Sequence, residues 1–336
     1  MLFRRTIFDG ILFAFLLSVL ATVVISPSEE QLLQLGTVAL IVIIFFIAGC
    51  GLSLVLKRFH VVTLGDILFK TSAASEEISW YKSFWGWQLA LSFTLAFLVA
   101  FAKTEFSLIE LLDESGFAGA MRLFQGLFNP NWDVLPRAVL NIVETIFMAF
   151  LATTLAIPFA FVLSFFCAKN VMQGSFSRGV YFVLRTILNV TRSIEALIWA
   201  IIFSVWVGIG PFAGMLALMI HSIASLAKQY SEMVESVEEG PIEAIESTGA
   251  GKLQTIWYAI VPQVLLPYIS FTVYRWDINV RMATIIGLVG GGGIGTMLVQ
   301  YQGQAMWREV GCIIVVIAVV VWALDQASAH IREALK

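Results

Sequence analysis

Glu243-Ala244-Ile245-Glu246-Ser247-Thr248-Gly249, with Pro262 thirteen residues beyond the glycine, is a polar stretch set between long apolar segments. An ordered polar loop in so apolar a chain implies a partner that receives it. Gly240-Pro241 breaks one helix and starts the next, because proline suits the first helical turn. Ile242 to Thr248 then has room for about two turns, and Gly249 supplies the left-handed residue that ends a helix. Lys252 to Tyr258 predicts a second short helix before Pro262 opens the next apolar segment. The expected product is a compact helix-turn-helix. Ala244 leaves room for close approach, and Glu243 and Glu246 offer charges for pairing. The competing reading, an amphipathic connector lying on lipid, calls for basic residues on the polar face. Residues 231–246 instead carry Glu232, Glu235, Glu238, Glu239, Glu243 and Glu246 and no base.

The flanking segments set the class. The 336 residues are 59% hydrophobic and 13% charged, with mean hydropathy +0.90. A soluble domain is about half apolar and a quarter charged, so this is an all-α polytopic membrane protein. A spanning helix needs about 20 mainly apolar residues. Eight segments qualify, at roughly 7–25, 37–56, 86–102, 138–168, 180–208, 211–228, 264–288 and 309–328. The fourth and fifth are long enough to tilt or project beyond the lipid. Arg4 and Arg5 precede the first apolar run, which lacks a convincing A-x-A cleavage site and reads as a retained helix, with a signal peptide as the alternative. Cys50, Cys167 and Cys312 lie in or at the ends of apolar segments without a C-x-x-C partner. They read as small buried hydrophobes, with no metal site. A net charge of -3 without a basic cluster gives no footing for nucleic acid.

The Lys/Arg bias gives the orientation. Arg4 and Arg5 place the N-terminus in the cytoplasm. Ser26-Pro27-Ser28-Glu29-Glu30 falls outside, and Lys57, Arg58, Lys70 and Lys82 fall inside. Segment 103–136 is mainly acidic and falls outside. Lys169 and Arg178, the 228–262 loop with Lys228 and Lys252, and the C-terminal Arg332 and Lys336 fall inside. Eight spans with both ends cytoplasmic satisfy every loop. Phe117, Met121, Leu123, Phe124, Leu127 and Phe128 predict an amphipathic stretch, or a packed external loop, closed by Asn129-Pro130-Asn131. The expected organisation is an extra N-terminal hairpin and linker over 1–85, an additional span and external loop over 86–136, and a core over 137–336 carrying the loop at about 229–262.

Several segments together resemble one family. Glu243, Ala244, Gly249 and Pro262 match the docking loop of bacterial ABC-transporter permeases: E-A-A, three residues, Gly, nine residues, Ile-x-Leu-Pro. Ile245, Ala259 and Val261 replace the second Ala, the Ile and the Leu. Arg192-Ser193-Ile194-Glu195-Ala196-Leu197-Ile198-Trp199-Ala200 looks like the R-S-I-P-E-L-x-W-A stretch of phosphonate-type permeases. Val207-Gly208-Ile209-Gly210-Pro211-Phe212-Ala213-Gly214 is similar to their G-x-G-P-x-A-G turn. Tyr274-Arg275-Trp276-Asp277-Ile278-Asn279-Val280-Arg281-Met282-Ala283-Thr284 resembles Y-R-x-x-I-N-V-R-x-A-T. The run from Ile286 to Gly295 resembles L-G-L-V-G-A-G-G-I-G. The resemblance covers about 137–300 and implies a type I ABC importer-like core in the bacterial cytoplasmic (inner) membrane. It further implies a second copy of this chain, cytoplasmic ATPase subunits, an extracytoplasmic solute-binding protein and a small anionic solute. The chain itself would bind no cofactor, because it has no Walker motif; ATP and Mg would be used by the partner ATPase.

Charges within the apolar segments are the candidates for the solute path. Mid-bilayer arginine costs about 2.5–3.5 kcal/mol even on the lenient insertion scale, so such residues face protein or a wet cavity. Arg185, Asn189 and Arg192 form one helical stripe with Glu195 near it. Asp277 and Arg281 stand at i, i+4, in ion-pair order. Both Asp277–Arg281 and Arg192–Glu195 also read as neutralised pairs that hold helices together. Arg275 and Asn279 share nearly the opposite face, and Arg275 has no evident intrahelical partner. It is the better candidate for an oxyanion, whose acceptors match an arginine fork. His221 lies on a stripe with Ser225 and Lys228, where a packed hydrogen-bonding histidine is the more frequent case. Glu144 reads as interfacial.

Gly290-x-Gly292-x-x-Gly295 matches the dinucleotide fingerprint only formally, since that motif needs a preceding strand. Gly287, Gly291 and Gly295, spaced by four, predict close helix packing or a bend near an outer gate. An ion-coupled secondary transporter or channel for a small anion is the alternative. It would need no docking loop and would show repeated or broken helices. An intramembrane enzyme finds no Ser/His, paired-Asp or H-E-x-x-H arrangement.

Overall fold

A computed structural model describes residues 2–25, 35–59, 61–69, 79–104, 107, 109 and 112–335. The predicted external loop 26–30, Lys70 and Lys336 lie outside the described residues. Among those described, all regular structure is helical. The chain divides into two units, Met1–Gly116 and Phe117–Lys336.

In the first unit, α1 (Leu2–Ile25) packs antiparallel on α2 (Leu35–Arg58), followed by α3 (Leu64–Leu68) and α4 (Phe84–Lys103). Gly49 lets the first two approach closely: a Cβ there would stand 2.7 Å from Gly10 O. Beside this crossing lies a buried polar knot. Arg5 Nε is 2.8 Å from Asp66 and 3.6 Å from Asp9. The Asp9 carboxylate accepts from Ser53 Oγ, Thr63 Oγ1 and the Gly65 N–H. Arg5, read from sequence as a cytoplasmic marker, is thus a buried structural residue, while Arg4 is exposed. Breaking one partner of such a pair costs about 3–5 kcal/mol, because the other charge stays buried.

Helix α5 (Glu114–Leu127), exposed and located where the amphipathic stretch was expected, begins at the end of the first unit and continues into the second. Next come α6 (Leu135–Phe166), α7 (Ser175–Ser193), α8 (Ala196–Val207) and α9 (Pro211–Glu235). The polar segment after α9 holds α10 (Glu239–Ser247) and α11 (Lys252–Thr255). The unit closes with α12 (Val261–Ile286), α13 (Gly293–Gly303) and α14 (Trp307–Ala334). The most extensive pairing is α6 on α9. Ala138, Ala149, Ala152, Ala156 and Ala160 recur at helical spacing on α6 and are fully buried, as are Ala213, Ala217 and Ala227 on α9. Small residues let backbones approach where lipid supplies no hydrophobic drive. Tyr268 Oη meets Ser164 Oγ at 3.0 Å, and its ring stacks on Tyr230 at 3.8 Å, which ties α6, α9 and α12 together.

Six helices among the described residues are long and apolar enough to cross a membrane, and α1 covers the first predicted apolar segment. The fifth predicted span, 180–208, is not one helix. It is α7 and α8, bent by 90°. The bend separates two unlike halves. Arg185 of α7 donates to Glu235 Oε1 (2.7 Å) and to the Cys167 carbonyl (3.2 Å), at the ends of α9 and α6. A straight continuation would pull that arginine away from both partners. The α8 half is apolar but for Ser204 and packs on α9.

Candidate functional site

The segment expected to dock a partner forms as two short helices. Helix α10 starts at Glu239, earlier than the Gly240-Pro241 break suggests, because Pro241 falls within the first turn, where its missing N–H costs nothing. At the other end Thr248 N–H donates to Ile245 O and Gly249 N–H to Glu246 O, with Gly249 at φ +83°. Ile242 and Ile245 turn inward; Glu243, Ala244, Glu246 and Gly249 are exposed. Beneath the helix runs a groove of about 280 Å³, lined by Glu235, Glu239, Glu243, Glu246 and Lys252. The second helix runs through a π turn, Ile256–Ile260, into α12, with Pro262 in the first turn of α12. Gln263 Oε1 accepts from the Glu238 N–H and anchors the start of the segment.

A second group of candidates converges in the helical core. Arg275 Nε donates to Ser222 Oγ at 3.2 Å. Asn279 Nδ2 donates to the same oxygen at 2.7 Å and to Thr153 Oγ1 at 2.8 Å. The sequence did not single out Ser222 or Thr153; isolated hydroxyls in apolar helices carry no spacing signal. Arg275 is only 7% exposed, and its Nη2 has no hydrogen-bond partner among the described residues; the same holds for His221 Nδ1.

Arg192 and Glu195 do not form an ion pair with each other among the described residues, and both are exposed at the bend between α7 and α8. Asp277 and Arg281 do pair, at 2.7 Å, and Arg281 also reaches Asp325 of α14 at 2.9 Å. Asp325 extends the predicted pair into a bridge between helices.

At the end of α12 the glycines make a turn. Gly290, Gly292 and Gly293 all have positive φ. Gly293 and Ile294 open α13 and donate their N–H groups to Glu144 Oε1 (3.3 Å) and Thr145 Oγ1 (2.9 Å) of α6. Glu144, read as interfacial, thus caps a helix. Beside it is a cavity of about 420 Å³ lined by Arg137, Asn141, Glu144, Gln300 and Tyr301.

Comparison with known proteins places this arrangement. The sequence pattern of the family described as "Binding-protein-dependent transport system inner membrane component" matches residues 160–328. A putative phosphite transport system permease protein, HtxE of Stutzerimonas stutzeri, is 44% identical over 159 residues, covering 47% of this chain and 61% of that protein. The phosphite transport system permease protein PtxC of the same organism is 35% identical over 195 residues, covering 58% and 70%. The permease chain in a structure of the inward facing MetNI methionine ABC transporter aligns over 61% of this chain and 99% of its own length. Its TM-score is 0.53 at 21% identity, which speaks to fold alone. With its apolar helices and its match across 160–328, the chain belongs to the binding-protein-dependent transport system inner membrane components, the multi-pass permeases of ABC importers.

Proposed function

We propose that this chain is the permease subunit of an ATP-driven importer for a phosphorus oxyanion, working by alternating access at a homodimer interface. The observation that carries the reading is the exposed helix α10 with its left-handed Gly249, a shaped surface for a cytoplasmic ATPase. Relatives named for phosphite transport support the solute class. Arg192 and Glu195 support the second copy: exposed charges half-way along a span are costly in lipid and are relieved by a facing protomer and a wet cavity between the two.

In this reading residues 137–336 are the core, and Glu243, Ala244, Gly249 and Pro262 form the docking element. Arg192, Glu195, His221, Arg275, Asp277, Asn279 and Arg281 belong to the path or its gating. The chain hydrolyses no ATP itself; the partner ATPase uses ATP and Mg, and an extracytoplasmic binding protein delivers the solute. Mild-detergent purification of the tagged chain should bring down an ATPase and a second copy of the chain, and its absence would sink the importer reading. Both termini lie in the cytoplasm. In a cysteine-free background, Gly240→Cys should react with an impermeant thiol reagent only from inside and Glu30→Cys from outside. Labelling of Gly240→Cys from outside would overturn the orientation.

A further inference from the structure

The chain between α6 and α8 carries the opposite charge to the segment after α9. Residues 167–193 contain Lys169, Arg178, Arg185 and Arg192 and no acid, whereas residues 231–246 carry only glutamates among their charges. Arg178, Arg185 and Arg192 recur every seven residues and so share one stripe of α7. Phe176, Phe182, Val183, Ile187 and Val190 of the same helix are exposed. This is the basic amphipathic pattern that contact with lipid calls for.

The bases are not spent alike. Arg185 Nη1 is committed to Glu235 Oε1 at 2.7 Å and to the Tyr181 hydroxyl oxygen at 2.8 Å. Lys169 is tied down by its backbone alone, whose N–H donates to Glu235 Oε1 at 3.0 Å. Its Nζ and the Arg178 guanidinium have no hydrogen-bond or ion-pair partner among the described residues. Tyr181 accepts from Arg185, which leaves its own hydroxyl hydrogen without an acceptor. These three donors line one cavity of about 370 Å³, together with Met172 and Gln173. Small-molecule pockets run from about 300 to 1,000 Å³. With Glu235 spent on Arg185, the cavity carries two uncompensated positive charges.

Its place in the fold suits a headgroup. Helix α6 ends at Phe166, so Lys169 stands three residues past the apolar run, and Arg178 is in the first turn of α7. Phe166, at the end of α6, and Phe182, one turn on from Arg178, are both exposed. Apolar surface therefore borders the charges. A soluble anion makes no use of such a border, whereas an acyl chain does.

We propose that this cavity holds the phosphate of an anionic phospholipid of the cytoplasmic leaflet. Lys169, Arg178 and the Tyr181 hydroxyl donate to its oxygens, and the acyl chains follow the exposed phenylalanines. The two bases supply charge-assisted bonds, and basic pockets at the cytoplasmic side of membrane helices take such headgroups. The choice of leaflet follows from the orientation proposed above; the importer reading is not needed. Gln173 lines both this cavity and the groove beneath α10, so a bound headgroup borders the segment assigned to docking.

The test is retention of tritiated dioleoylphosphatidylglycerol by the full chain, purified with its partners in dodecyl maltoside and immobilised. Dioleoylphosphatidylcholine is the zwitterionic comparison. Saturable retention is expected for the anionic lipid and not for the zwitterionic one. The double variant Lys169→Gln, Arg178→Gln should weaken it at least about tenfold, because each base beside an anionic headgroup adds its own attraction. Both side chains lack partners in the fold, so the variant should assemble. Should it fail to, the two single variants decide, each expected to weaken retention several-fold. The control is Arg4→Gln with Lys57→Gln, which removes two exposed charges assigned to the same side of the membrane and should leave retention unchanged. Wild-type retention in the variants, an equal loss in the control, or no preference for the anionic lipid overturns the site. Displacement of the lipid by millimolar inorganic phosphate at constant ionic strength overturns the lipid assignment in favour of a free phosphate.

Discussion

Gly249→Val should leave the chain folded and membrane-inserted but cut ATP-coupled uptake by more than about tenfold. Gly249 stands at φ +83°, and a Cβ built there meets no atom within 4 Å. The substitution therefore creates no clash, only backbone strain: the left-handed conformation costs an L-residue about 1–2 kcal/mol, and β-branched valine is the least suited to it. That strain falls on α10, nine residues long, whose inward contacts are the half-buried Ile242 and Ile245. A helix this short is marginal without packing. A loss of 1.4 kcal/mol corresponds to about tenfold in the population of the docked shape. Solute-stimulated ATP hydrolysis and the amount of ATPase recovered with the chain should both fall. Gly249→Asn, which tolerates the left-handed region, should retain most of both. A fully coupled, solute-stimulated Gly249→Val complex would refute the assignment of this turn to docking.

Much of this architecture is legible in the sequence because the membrane imposes a length rule. Eight apolar segments map onto eight helical positions, and the docking turn follows from one glycine and two prolines. Legibility ends where hydropathy is blind to direction. The 180–208 segment is apolar enough to read as one span, yet it holds two helices at 90°. No proline or glycine marks the break; tertiary anchoring of Arg185 on Glu235 pulls α7 one way while α8 follows α9. The broken helix was expected only of the ion-coupled alternative, so that criterion does not separate the two classes, whereas capture of an ATPase by α10 would. Pairing was half legible. The i, i+4 rule found Asp277 and Arg281, but Asp325 lies forty-four residues further on, and Arg192 and Glu195 flank a bend that no periodicity announces. The burial of Arg5 was illegible for another reason. The positive-inside rule counts charges without asking whether two aspartates have already enclosed them.

Gly295→Ala should be the most damaging single-methyl change in the second unit, and through folding, not docking. An added Cβ would lie 2.0 Å from Thr284 O and 2.9 Å from Gly287 Cα, both backbone atoms that no side-chain rotation can clear. The contact is reciprocal, since a Cβ on Gly287 would meet Gly295 Cα at 2.6 Å. Helices α12 and α13 therefore touch backbone to backbone, and the methyl must push them apart. Overpacking a tight site costs about 1–3 kcal/mol and more when backbone must shift, so the expected loss is at the top of that range. The displaced α13 start would also weaken the N–H bonds that Gly293 and Ile294 give to Glu144 and Thr145. Gly303→Ala is the control: it lies in the same helix, exposed, with nothing within 4 Å of the new methyl. Thermal melting of the detergent-purified chain should show Gly295→Ala lower by at least roughly 5 °C, with Gly303→Ala near the wild type. Equal melting of the two variants would mean that α13 can slide on α12. The glycine turn would then be a moving gate, not a fixed joint.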